Sequence, residues 1–328
     1  MRRRILLPIS FTIFVSVLLL ASCKPKTTDT LGKQRGENLV QVSVIPSPLP
    51  PRREKIWTEF DGNQVLTEVK AITNFGPRPA GDDANAKARQ YLIDHLIQLG
   101  WQTIQQRFTD HSPDGKAVEF CNLIARFSHF PALTKRFIIG SHFDTVTSQA
   151  YRVTGASDGA AGSAILLELA RVLAQDPQLA GRVELLFLDG NAPFRQLDLN
   201  DGLFGSRFYT QMLQLNQHST DIRSAVILEN VGSSLFRLNF PPSSDQKLVD
   251  EMKTAARTLG LKINAANRPF LADHVPFEQA GIPTLALFEA DAPQLNTADD
   301  TPERLGADAL ARTGKLVLYF LAQQELSP

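Results

Sequence analysis

From about Ile56 onward two hydrophobic periods alternate along the chain. "NQVLTEVKAITNF" sets Val65, Val69, Ile72 and Phe75 three or four residues apart, which is one face of a helix. "ANAKARQYLIDHLIQLG" repeats the spacing and stops on Gly100, a residue that ends helices readily. Short, nearly unbroken apolar runs follow: "VEFCNLIARF", "RFIIGSH", "RVELLFLDG", "SAVILENVG" and "PTLALFEA". Between them lie helical patterns: "GAAGSAILLELARVLAQ", "LFGSRFYTQMLQL", "SDQKLVDEMKTAARTLG" and a last one from about Pro302 to Gln324. Strands apolar on both faces need cover on both faces. The pattern predicts one α/β domain over 56–328, with a mixed, mainly parallel central sheet flanked by helices.

The chain before Ile56 obeys a different pattern. "MRRR" and the apolar run "ILLPISFTIFVSVLLL" read as a secretion signal over 1–22. The "LASC" that follows resembles a bacterial lipobox, which implies cleavage before Cys23 and a lipid on its sulfur. An uncleaved membrane anchor is the alternative. Both put the body of the protein in the bacterial cell envelope, facing the periplasm or exterior, where disulfides form. Residues 23–55 turn polar and then proline-rich ("IPSPLPPRREK") and read as a disordered tether.

Charge and cysteine content narrow the classes. The 34 basic and 34 acidic residues cancel, so no basic field points to nucleic acid. Two cysteines exclude a disulfide scaffold. With Cys23 lipidated, Cys121 has no partner, and its place in an apolar run marks it as a buried, inert thiol.

On such a sheet, ligands bind beyond the carboxyl ends of the strands. "RFIIG" leads into His142 and Asp144, "GASDGAAG" carries Asp158 just before a helix, "SAVIL" ends on Glu229, and "LADHVPF" carries Asp273. Alone, His142 reads as a core histidine, Asp158 as a helix N-cap and Glu229 as a solvated strand end. Together, one imidazole and two carboxylates make a candidate metal set that suits zinc. Asp144, two residues past His142, points to the same side of an extended segment and is placed to accept the other imidazole N–H.

These motifs, in this order, resemble the M28-type zinc aminopeptidases, and most closely their glutaminyl-peptide cyclotransferase branch. "GPRPAG…NAKARQYL", "GSHFDT", "GASDGAAGSAILLELAR", "LFLDG", "LFGSR", "ILENVG", "DHVPFEQAGIPTL" and "NTADD" carry the resemblance, from about Phe75 to the C-terminus. It implies a zinc that polarises the γ-carbonyl of an N-terminal glutamine, a glutamate that takes a proton from the α-amine, and release of ammonia as pyroglutamate forms. It implies peptide or protein N-termini as partners.

Carried over position by position, the resemblance breaks at the chemistry. The branch's D-G-E-E-A-F reads here Asp189, Gly190, Asn191, Ala192, Pro193, Phe194. The general base thus falls on Asn191 and a zinc ligand on Ala192. W-H-T-x-D-D reads Leu295 to Asp300, so the zinc histidine falls on Asn296 and a pocket tryptophan on Leu295. A second pocket tryptophan falls on Leu197, and the first aspartate of D-D-H-x-P-F on Ala272. Of the single-zinc ligands Asp158 remains. An amide cannot serve as the base, and loss of general-base help alone costs on the order of 10²–10⁴ in rate. The second metal of the two-zinc peptidases would use His142, Asp158 and Glu229, all still able to bind; cyclases keep these positions without that metal. Three readings follow: a degraded centre with residual carboxylates Glu229 and Asp273, an active cyclase with relocated ligands (Asp299 or Asp300 among them), or a one-metal hydrolase on His142, Asp158 and Glu229.

Overall fold

A computed structural model of the chain describes residues 52–127, 135–148, 150, 152–289 and 293–324. The expected signal 1–22, Cys23 and the tether up to residue 51 lie outside the described residues. Helices α1 (Gly62–Asn74) and α2 (Asp83–Gln98) lead into strands β1 (Trp101–His111), β2 (Ala117–Phe127) and β3 (Arg136–His142). Then come α3 (Ala161–Leu173), α4 (Pro177–Ala180), β4 (Val183–Leu188), α5 (Phe204–Leu215), β5 (Ile222–Glu229), β6 (Leu238–Phe240), α6 (Gln246–Thr258), β7 (Asn264–Ala265), α7 (His274–Gln279), β8 (Thr284–Glu289) and α8 (Ala307–Gln324).

The eight strands form one mixed sheet in the order β1-β2-β4-β3-β5-β8-β6-β7. The centre, β4-β3-β5-β8, is parallel. β2 joins it antiparallel through β4, and β6 antiparallel through β8. Alternate residues of the central strands face opposite layers, as the two-residue period of a strand demands. Phe137, Ile139, Leu185 and Phe187 enter the larger core with α1, α3 and α8. Ile138, Leu186 and Leu188 enter the smaller one with Tyr209 of α5 and Phe277 of α7. α3 lies close on the sheet: a Cβ on Gly162 would fall 2.0 Å from Ser141 Oγ.

β1 is a finding that the apolar runs do not predict. Its burial alternates with exposed polar residues, and its eleven residues are fixed by antiparallel pairing with β2, from Trp101 opposite Phe127 to His111 opposite Ala117. The chain is also fastened to the domain before Ile56. The Arg53 backbone N–H and Arg52 Nε both reach Asp176 Oδ2 at 3.2 Å, while Asp176 Oδ1 accepts the Leu179 N–H and caps α4. Cys121 is buried and unpaired. No helix of the described residues is long and apolar enough to cross a membrane.

Candidate functional site

Three adjacent strands deliver the candidate residues to one edge. β3 ends on His142, opposite Leu188 at the end of β4, and β5 ends on Glu229 alongside. Asp158 comes from the turn 156–160 that precedes α3, where its own φ/ψ (−101°, 92°) is not helical. Gly159 follows with φ 104°, and a Cβ there would sit 2.5 Å from the Asp144 carbonyl oxygen, so the turn requires glycine. Asp300 clamps the turn. Its Oδ1 accepts from the Ser157 N–H (2.8 Å) and hydroxyl (2.7 Å), and its Oδ2 from the Asp158 N–H (3.1 Å).

His142 and its carboxylates meet. His142 Nε2 lies 3.1 Å from Asp158 Oδ1 and 3.7 Å from Glu229 Oε2, yet makes no hydrogen bond. Nδ1 lies 3.2 Å from the Asp144 backbone oxygen and 3.3 Å from its Oδ1. The Asp144 carboxylate is engaged elsewhere as well: it accepts the backbone N–H of Asn191 (3.1 Å) and of Ala192 (3.0 Å). Glu229 is buried, not solvated, and its Oε1 accepts the Asp273 N–H at 3.1 Å. Asp273 in turn accepts from Ser206 Oγ (2.6 Å) and from Asn191 Nδ2 (3.0 Å). Asn191 is therefore a hydrogen-bond donor to the residual carboxylate. Asp299 is exposed, 4.0 Å from Arg304, and both Asp300 oxygens are committed to the turn.

Burial pulls the His142 pKa down, but Asp144 and Asp158 outweigh it and hold the imidazole well above its ordinary value. Burial and the neighbouring Asp273 push Glu229 far up, against the pull of His142. Burial also raises Asp273, opposed by His142, Ser206 and Asn191. Asp189, the scaffold half of "DGNA", is pushed up to about 7 by burial and Asp144, while Asn85 Nδ2 and the Cys121 N–H hold its two oxygens. The residue that sequence reasoning passed over is Arg78. Its guanidinium is fully buried and donates to the carbonyls of Phe143, Gly76, Thr154 and Gly155. Burial lowers its pKa to about 10, opposed by Asp144, Asp158 and Asp300. Its only signal was its place inside "GPRPAG".

Residues 122–321 match Peptidase family M28, which covers well over half of the chain. The chain belongs to this family. Its likeness lies with the glutaminyl-cyclase branch. It is 25% identical over 279 residues to a glutaminyl-peptide cyclotransferase-like protein of Bos taurus, covering 75% of this chain and 72% of that one. It is 28% identical over 277 residues to the Mus musculus protein of the same description, again 75% and 72%. The fold superposes on the crystal structure of an Acidobacteriales bacterium glutaminyl cyclase with a TM-score of 0.74 at 24% identity, over 86% of this chain and 99% of that one. A Zn-dependent exopeptidase from Parabacteroides distasonis gives 0.73 at 23% identity, over 80% and 98%.

Zinc belongs to this M28 family, so the donors can be tested against it. The cyclase-type set that the resemblance implies does not fit: Ala192 offers no donor and Asn296 only an amide, which leaves Asp158. The pairwise distances around His142 Nε2 would allow a shared cation. Among the described residues, however, no three His, Cys, Asp or Glu side chains form a group that could hold a metal ion. Ligation needs all three donors to converge on one point.

Proposed function

We propose that this chain is a glutaminyl-cyclase-like protein of the bacterial cell envelope whose centre no longer performs the family reaction. In this reading it is a lipid-anchored protein, held by Cys23, that binds peptide or protein N-termini. The observation that carries it is the Asn191 amide. It occupies the position of the proton acceptor and donates its own N–H to Asp273 at 3.0 Å, so it has no basic lone pair to offer an ammonium. Asp158, with its side chain 14% exposed, is the carboxylate that a ligand ammonium reaches, and Glu229 and Asp273 lie buried behind it.

The test joins two measurements on the purified protein. We expect no zinc to be retained after dialysis and no ammonia to be released from a glutamine-leading peptide in added zinc. Turnover in added zinc would overturn the reading. Binding is checked with matched peptides, and the free amine is expected to bind more tightly than its acetylated form and to lose that advantage in Asp158→Asn. One observation favours a second reading, a one-metal hydrolase on His142, Asp158 and Glu229: the buried His142 Nε2 faces two carboxylates without a hydrogen bond. Stoichiometric metal that Glu229→Gln abolishes, together with cleavage of an aminoacyl amide, would establish it. An active cyclase with ligands relocated to Asp299 or Asp300 has no comparable support.

A further inference from the structure

Past the ends of β5 and β8 lies a cavity of about 480 Å³ whose lining includes Leu295, where the resemblance puts a pocket tryptophan, but not His142, Asp158 or Glu229. Asn230, Arg268, Phe270, Phe288, Glu289 and Leu295 line it. Phe270 and Phe288 stack with centroids 4.1 Å apart and planes 9° from parallel, and form a flat apolar wall. Glu289 is 3% exposed, and its Oε1 accepts the N–H groups of Gly232 and Ser233 at 3.1 Å each. Burial pushes its carboxyl up to about 7, and what opposes this is those amides and the Ser233 hydroxyl, with no contribution from a cation. Arg268 is exposed at the mouth.

A buried carboxylate without a counter-charge is costly, and hydrogen bonds from neutral donors offset only part of that cost. A cation that enters here gains an ion pair with Glu289 beside the stacked Phe270–Phe288 pair. We propose that this cavity is a pocket for a guanidinium or ammonium side chain of a bound peptide, with Glu289 as its counter-ion and Phe270 and Phe288 as its wall. That the cation belongs to a peptide rests on the peptide-binding reading above; the pocket's preference for positive charge does not.

The probe is Nα-acetyl-L-arginine amide, which has no free α-amine and so bypasses the cluster at Asp158. Titrated calorimetrically into the full chain, it should bind roughly tenfold more tightly than Nα-acetyl-L-leucine amide, the scale of one charge-assisted hydrogen bond. Glu289→Gln should remove that advantage. Arg268→Glu, at an exposed position that leaves the interior untouched, should tighten arginine binding. Equal binding of the two probes, a preference for Nα-acetyl-L-glutamate amide, an advantage that persists in Glu289→Gln, or weaker binding in Arg268→Glu would each overturn the proposal. If the acetylated arginine probe binds as stated while free N-termini gain nothing over blocked ones, this pocket stands and the N-terminus reading falls.

Discussion

The carboxyl edge of the sheet has two flanks that differ in what holds them. On one, His142, Asp144, Asp158 and Glu229 keep their residue types and are surrounded by charge: Arg78 lies beneath them and Asp300 clamps the Asp158 turn. On the other, Asn191 and Ala192 donate backbone hydrogen bonds to Asp144, and Asn296 sits exposed. The retained flank keeps its acidic residues because removing one would strand buried partners. In the proposed reading, the vacated flank lacks groups that would contribute only when a metal or substrate is present.

The largest effect should come from the charge beneath the retained flank. Arg78→Met strips four carbonyls of their donor and removes the buried guanidinium that interacts with Asp144, Asp158 and Asp300. We expect a loss of about 3–5 kcal/mol, the scale of breaking a buried charge network, read as a lower urea midpoint. A change below about 1 kcal/mol would mean that the retained flank is not held by charge, and the contrast would fail.

How much of this was legible in the sequence follows the same division. β3 and β8 are apolar on both faces, so their runs end where their strands end, at His142 and Glu289. β1 carries only a weak alternation, and its strand exists because β2 pairs with it. The strand-end rule brought His142, Asp158 and Glu229 together without any distance. It could not supply Arg78, since a buried arginine has no periodic signature. Nor could it supply the Asn191–Asp273 bond, which joins residues 82 apart in sequence. The tether's grip on Asp176 was hidden for another reason: composition marks a segment as unable to build a core, not as unable to dock on one.

Two buried histidines sharpen the comparison. The His142 pKa is raised by its carboxylates, whereas His274, next to Asp273, has both ring nitrogens buried without a partner, and burial drives its pKa to about 4. Its folded pKa is below the unfolded value of about 6.5, so between these limits the unfolded chain takes up a proton that the folded chain refuses. That part of the stability is complete above pH 6.5 and is lost as pH falls toward 4, by roughly 3 kcal/mol in total. His274→Phe should flatten this loss. Unfolding midpoints of both proteins at pH 7 and pH 4.5 check it, and parallel slopes would refute it.

On the vacated flank, Asn191→Glu puts a carboxylate where an amide now donates to Asp273 at 3.0 Å. Like charges at that range repel, and Asp273 loses a donor, so the single variant should lose about 1–3 kcal/mol. The triple variant Asn191→Glu, Ala192→Glu, Asn296→His should recover that loss when zinc is added, because a bound metal stabilises only the folded state. Melting temperatures with and without zinc, beside metal analysis, make the comparison. A triple variant indifferent to zinc would show that the vacated flank is not the family's zinc site.

The smallest effect belongs to Asn296 alone. Its φ of 57° is left-handed, a conformation that asparagine tolerates better than most residues and that histidine also enters more often than the average. The residue is exposed, so Asn296→His should change stability by less than about 1 kcal/mol. It should also leave zinc unbound, because a single imidazole added to Asp158 gives two donors where a stable site uses three or four. Denaturant unfolding and metal analysis of this one variant measure how deep the vacancy is. Stoichiometric zinc in Asn296→His would mean that the site lacks one ligand rather than two, and that the missing glutamate at Ala192 was never decisive.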